Sequence, residues 1–264
     1  NHKPVFWLNY PVNEHSRSGM FLGDITYYAR DNVTGLSGVI SNPSRFAESG
    51  KVALFQLAAL NWNNTNYLEN AQDVWEDSFK YLQPEISDSY LTIARNISNA
   101  PSSSRVPGYN ESEYLKDKLD SVTDKVKRGV LTADDAEVAE LIEEFDNILL
   151  SIEDMRNNST NRELVEELDP WLKSLKDVAT SGKEILTSKI AVLNKDVSVE
   201  MFNTIMSNPV NNVGVEGRKL ITEVEINSDL LASLNANGWN VTNLVMISFL
   251  PLGFVFIIDV SISP

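Results

Sequence analysis

The chain has 264 residues, of which 42% are hydrophobic, and carries a formal net charge of −15. That length holds more than one core at about 100–200 residues per domain, and that charge opposes polyanions held by bulk attraction, so a nucleic-acid partner is excluded. Cysteine is absent and histidine occurs only at His2 and His15, which excludes disulfides, thiol chemistry and a Cys/His zinc site. No metal or cofactor is expected.

The chain begins Asn1-His2-Lys3-Pro4, with neither an initiator methionine nor a signal peptide, and is expected to be a segment of something longer. Residues 1–66 are expected to form β-loop-β-α. The run from Val5 to Asn9 and the run from Gly38 to Ser41 are short and apolar, and Tyr10-Pro11 and Asn42-Pro43 follow them. Such runs predict buried strands that stop abruptly, with each proline just past a strand end. In parallel α/β folds, ligands sit in the loops past the carboxyl ends of strands. Trp7, Asn9, Glu14 and Asn42 are thereby directed toward one site. The polar stretch from Glu14 to Gly35 predicts a long connection. Ser44 is expected to cap a helix running to about Trp62, whose apolar residues on all sides predict burial on more than one face.

Residues 67–195 are expected to be a helical bundle. Trp75, Phe79 and Leu82 share one face, and Ile86, Tyr90, Ile93 and Ile97 follow with a period near 3.6. Asn99 to Gly108 is a Ser/Pro loop. Leu115, Leu119, Val122 and Val126 make the next stripe, ended by Gly129. Thr132 with Asp135 resembles a capping box. Val138, Leu141, Ile142, Phe145, Ile148, Leu149 and Ile152 give the strongest helical pattern in the chain. Asp169-Pro170 predicts a helix start, and Leu172, Leu175, Val178, Ile185, Leu186, Ile190 and Leu193 stripe the helix that follows.

Residues 196–264 are expected to be a linker and the start of a β-rich module. Val199 to Met206 and Asp229 to Leu234 are helix-like. Leu244 to Ile262 is strongly apolar but interrupted by Pro251 and Gly253, which predicts two buried strands. A membrane span needs about 20 uninterrupted residues.

Sugars present polar rims and apolar C–H faces, so their sites combine hydrogen-bonding amides or carboxylates with an aromatic wall. Trp7, Asn9, Glu14 and Asn42 are residues of those types. The same residues also suit a plain structural reading: Trp7 as a core aromatic, Asn9 and Asn42 as turn residues, Glu14 as a surface charge.

The segments FWLNYPVNE, LSGVISNPSRFAESGKVALF and LNWN resemble the end of the catalytic barrel of glycoside hydrolase family 84, the retaining β-N-acetylglucosaminidases that include bacterial O-GlcNAcases and clostridial hyaluronidases. The resemblance continues more loosely to about residue 195. It implies an α/β-plus-α architecture. Residues 1–66 would supply the terminal strands and helix of a (β/α)8 TIM-type barrel, residues 67–195 an all-α bundle, and residues 196–264 a short β-rich tail. It also implies that Trp7 helps enclose an N-acetyl group and that Asn9 and Asn42 contact the sugar. Glu14 stands where the family has an aspartate, and Leu8 replaces a common aromatic.

The family's two consecutive catalytic aspartates close a barrel strand. Asp134-Asp135 lies instead at a predicted helix start, where acidic side chains stabilise the dipole. No catalytic residue is therefore assigned within the chain. The implied chemistry is substrate-assisted: one aspartate orients the N-acetyl group, whose oxygen attacks the anomeric carbon to give an oxazoline, and the other is acid and then base. The implied partners are a glycan or glycoprotein bearing N-acetylglucosamine and the upstream part of the same protein. A secreted or cell-surface bacterial location is expected, and membrane insertion is not. The alternatives are cleavage of hyaluronan, which the chain's negative charge opposes, and a non-catalytic helical module that binds or spaces partners.

Overall fold

The computed structural model describes residues 2–13, 20–26, 35–98 and 111–193, together with the strand segments 214–215, 218–219, 221–226, 241–249 and 254–262. Glu14 and the helix-like stretches at 199–206 and 229–234 lie outside the described residues. The chain divides into two compact units, residues 1–111 with 151–172 and residues 112–150 with 173–264.

In the first unit, β1 (Val5–Leu8) and β2 (Gly38–Ser41) pair in parallel. Three helices follow: α1 (Lys51–Trp62), α2 (Asn64–Leu82) and α3 (Ser87–Ile97). Leu8, Tyr10, Phe21 and Ile25 pack with Ala53 and Leu57 of α1 and Tyr67 and Ala71 of α2. The tyrosine ring stacks on Phe21 at 5.4 Å. The predicted α2 and α3 stripes meet each other: Phe79 lies edge-on to both Trp75 and Tyr90, at 5.7 and 4.9 Å. The Trp75 indole N–H donates to the Leu22 carbonyl at 2.7 Å, which satisfies the one polar atom of a buried ring. Asn63, between α1 and α2, caps the second helix by accepting from the Asn66 N–H at 3.0 Å.

Ser44 does not cap a helix running directly to Trp62. Its Oγ accepts from the Phe46 N–H at 3.1 Å, making a local turn, and α1 begins only at Lys51. A close turn intervenes, in which a Cβ at Gly50 would lie 2.8 Å from the Phe46 carbonyl oxygen. The Glu167 carboxylate holds this turn by accepting from the N–H groups of Glu48 and Ser49 at 3.0 and 2.9 Å. Burial on several faces of α1 is likewise not found among the described residues. Val52, Ala53, Gln56 and Leu57 are buried, whereas Leu54, Ala58 and Trp62 are exposed. One side of α1 packs into the cluster of Leu8 and Tyr67, and no described element covers the other.

The remaining helices are α4 (Lys116–Lys127), α5 (Ala136–Asn158) and α6 (Arg162–Leu193). Leu115, Leu119 and Val122 are buried, as are Val138, Leu141, Phe145, Ile148 and Ile152. After α4 the chain turns at Gly129, whose φ of 67° favours glycine. Thr132 does not cap α5. The helix starts at Ala136, and Asp135 is its cap, accepting from the Glu137 N–H at 3.1 Å while paired with Lys125.

Asp169-Pro170 does not begin a helix; α6 starts eight residues earlier at Arg162 and runs through Pro170. Its cap is Asn161, whose Oδ1 accepts from the Leu164 N–H at 3.1 Å. A proline inside a helix costs about 3 kcal/mol. Leu168, Trp171 and Leu172 beside it are all buried, and at about 1.5–3 kcal/mol each their burial outweighs that cost. Asp169 pairs with Arg156 at 2.9 Å instead of capping.

Gly182 on α6 faces Phe145 on α5, and a Cβ there would stand 2.7 Å from the ring. Because Phe145 is buried, the ring cannot swing aside. Gly182→Val is expected to destabilise the second unit by about 2–3 kcal/mol through overpacking, read by urea unfolding. A cost below 1 kcal/mol would show that the helices can part.

Carboxylates with a lowered pKa link stability to pH. Lys51 and then Asn161 hold the Glu48 carboxyl below its ordinary 4.5. Lys125 does the same for Asp135, and with Ser121 for Glu137; Thr160 does so for Glu85. Each group stabilises the fold above its unfolded pKa, and that contribution is lost as pH falls through the lowered folded value. The melting temperature is expected to hold steady from neutral pH down to about 5 and then fall, chiefly through Glu48 and Asp135, whose side chains are only 14% and 11% exposed. A melting temperature that rises on acidification would contradict this.

In the carboxy-terminal residues, β3 (Gly214–Val215) and β4 (Arg218–Lys219) form a short antiparallel ribbon. The strands β5 (Ile221–Ile226), β6 (Val241–Phe249) and β7 (Phe254–Ile262) form an antiparallel sheet in that order. The described chain as a whole is mostly helical. No described helix is long and apolar enough to cross a membrane.

Candidate functional site

The site grows out of the register of β1 and β2. Val5 lies opposite Gly38, and Leu8 opposite Ser41. Asn9 and Asn42 are the next residues on each strand, so they leave the same end of the sheet at the same level. The backbone continues the match: the Asn42 N–H donates to the Leu8 carbonyl at 2.9 Å, and the Val12 N–H donates to the Asn42 carbonyl at 3.0 Å. Two hydroxyls add to it. Ser41 Oγ donates to the Tyr10 carbonyl at 2.6 Å, and Ser44 Oγ donates to Asn13 Oδ1 at 3.3 Å. The Tyr10–Pro11 peptide is cis. Tyr10, Pro11, Val12 and Asn13 are all buried, while Asn9 is exposed and Trp7 is 59% exposed.

The three predicted side chains converge on one atom. Trp7 Nε1 donates to Asn9 Oδ1 at 2.7 Å, and Asn42 Nδ2 donates to the same oxygen at 3.3 Å. Only an oxygen can accept twice, so this pair of donors fixes which way the Asn9 amide faces. Among the described residues nothing takes its Nδ2 hydrogens, which lie beside an exposed indole. These are neutral groups: one donor-rich amide, one amide with an acceptor to spare, and an aromatic face. Such a set suits hydroxyl, ether or amide oxygens held against apolar C–H surface. Among the described residues no core forms around Trp7.

Glu14 lies outside the described residues, so its predicted place at this site has no counterpart here. Asp134 and Asp135 sit at the start of α5 and not at a strand end. Among the described residues no cluster of three or more His, Asp or Glu side chains could hold a metal. Ser41 and Asn13 were not singled out by sequence, and Ser44 only as a helix cap. Their signal was present in the two Asn/Pro-ended strands, since loops tied at matching positions need side chains to bond one to the other.

Two family models match the chain in tandem. Residues 1–95 match a model described as beta-N-acetylglucosaminidase, and residues 114–218 match one described as hyaluronidase post-catalytic domain-like. The solved structure of CpGH84D is 28% identical, with a TM-score of 0.68 over 76% of this chain. Along both matched segments the chain is similar to glycoside hydrolase family 84. Within the family, CpGH84B is 27% identical, with a TM-score of 0.63 over 78% of this chain. A mutant O-GlcNAc hydrolase of Thermobaculum terrenum, at 18% identity and TM-score 0.62, shares the fold over 78% of this chain and 42% of its own. The chain spans about a third of the family members it matches, 32% of CpGH84D and 34% of CpGH84B.

Proposed function

We propose that this chain forms one wall of the sugar pocket in a retaining β-N-acetylglucosaminidase that works by substrate-assisted oxazoline chemistry, with the catalytic aspartate pair outside the chain. The observation that carries this is the convergence of Trp7 and Asn42 on Asn9 Oδ1 at the carboxyl ends of two parallel strands. In this reading the Trp7 ring encloses the N-acetyl group, Asn9 donates to a sugar oxygen and Asn42 contacts the same ring. Glu14 supplies a carboxylate to the sugar hydroxyls. The natural ligand is a glycan or glycoprotein bearing terminal N-acetylglucosamine, met outside the cell.

Residues 1–66 are, on this proposal, the closing strands and helix of a (β/α)8 barrel. The parallel pairing of β1 and β2 supports it. So does the exposure of Val5, Phe6 and Ile40 on the sheet and of Leu54 and Trp62 on α1, apolar surface of the kind that neighbouring barrel elements cover. Residues 67–195 are then the helical domain behind the barrel, and residues 196–264 lead into a β-rich module.

The test is hydrolysis of an aryl N-acetylglucosaminide by the complete protein that carries this chain. Release of the aryl group with retention at the anomeric carbon is expected; no turnover with the upstream aspartates intact overturns the proposal. Hyaluronan is the second substrate, favoured by the match of residues 114–218 to a hyaluronidase-associated domain and opposed by the charge of −15. Product analysis on hyaluronan against an O-GlcNAc peptide separates the two.

A further inference from the structure

We infer that Asn13, Ser41 and Ser44 form a clasp that sets the spacing of Asn9 and Asn42, making them positioning residues for the sugar wall; the inference rests on the proposed sugar site. The bond from Asn42 Nδ2 to Asn9 Oδ1 is 3.3 Å long, at the weak end of the hydrogen-bond range. The backbone bond from the Val12 N–H to the Asn42 carbonyl, at 3.0 Å, also ties these two loops. Loops after strand ends are mobile unless something ties them. Here the tie is underneath, where Tyr10 through Asn13 are buried.

Ser41 Oγ holds the Tyr10 carbonyl, one residue beyond Asn9, at 2.6 Å. Ser44 Oγ, two residues beyond Asn42, reaches Asn13 Oδ1 at 3.3 Å, a weaker bond than that of Ser41. The two bonds thus bracket the asparagine pair from both loops. Ser44 is itself fixed by accepting from the Phe46 N–H, so the clasp has a rigid base. Asn13 is 1% exposed, and its Nδ2 finds no partner among the described residues. A buried amide half satisfied costs stability, and its bonded half is the one that joins the loops. Loosening the clasp would shift Asn42 against Asn9, and shifts of about 1 Å matter at a binding site.

The test compares Ser44→Ala with Ser44→Thr, which keeps both hydroxyl bonds. In the complete protein, Ser44→Ala is expected to raise KM for an aryl N-acetylglucosaminide about tenfold with kcat within about twofold, the pattern of lost uniform binding, and Ser44→Thr is expected to restore it. On the present chain, exchange of the Trp7 indole N–H and the Val12 amide is expected to quicken about tenfold in Ser44→Ala, as local opening becomes easier, and again to recover in Ser44→Thr. An unchanged KM in an active protein, or unchanged exchange, overturns the clasp. If the wild-type protein hydrolyses no N-acetylglucosaminide, the sugar reading fails instead, and the exchange result alone upholds or overturns the clasp.

Discussion

Replacing Asn9 with alanine is expected to lower kcat/KM for an aryl N-acetylglucosaminide by about 100- to 1000-fold in the complete protein, which corresponds to about 3–4 kcal/mol of transition-state stabilisation. Two losses combine. The ligand loses the donor that Asn9 turns outward, and Trp7 and Asn42 lose the oxygen on which both rest. Each such bond contributes about 0.5–1.5 kcal/mol. Asn9→Asp separates the two. The aspartate keeps an oxygen for Trp7 and Asn42 but presents a second oxygen where the ligand meets an N–H. It is expected to lose nearly as much activity as alanine while leaving the Trp7 environment, read by indole NMR, unchanged. Because Asn9 is exposed, neither change should move the melting temperature by more than about 2 °C. A loss of less than fivefold in both variants would remove Asn9 from the sugar wall.

That site was legible because its determinants are local. A short apolar run ended by Asn and Pro needs no distant partner to be a strand that stops, and two of them give parallel mouths with Asn9 and Asn42 in matching places. The helical stripes were legible for the same reason: the period that places Phe79 and Tyr90 on buried faces is written within each segment. What escaped was decided at a distance or by competition. Ser44 carries a good cap signal, but its hydroxyl is engaged with Asn13, and α1 takes its carboxylate from Glu167, 118 residues further along the chain than Ser49. Asp169-Pro170 carries a good start signal, yet the buried flanks of Pro170 outweigh it. The apolar run of α1 foretold apolar surface on all sides but could not tell which side meets Leu8 and Tyr67.

Removing Glu167 is expected to destabilise the first unit strongly. Its carboxylate accepts three bonds: from the Glu48 N–H at 3.0 Å, the Ser49 N–H at 2.9 Å and the Ser49 hydroxyl at 3.0 Å. Ser49 is 2% exposed, so water cannot replace the lost acceptor easily. The carboxylate also faces the amino-terminal end of α1, where its charge complements the helix dipole. Phe46, in the same turn, packs edge-on against Trp171 at 5.4 Å, one helical turn from Glu167, so the cap and the ring contact hold α1 and α6 together. Bonds to a charged group contribute about 1.5–3 kcal/mol each and are not additive. Glu167→Ala is therefore expected to cost about 3–5 kcal/mol, a fall in melting temperature of about 10 °C or more. The relief of desolvating one carboxylate reduces but does not cancel this, since the part-buried backbone donors of Glu48 and Ser49 lose their partner. Glu167→Gln keeps one acceptor oxygen and should recover about half of the loss. Thermal unfolding of the three proteins at pH 7 decides it: an alanine variant within 1 kcal/mol of wild type would mean that the turn before α1 holds itself, and that α6 only lies against it.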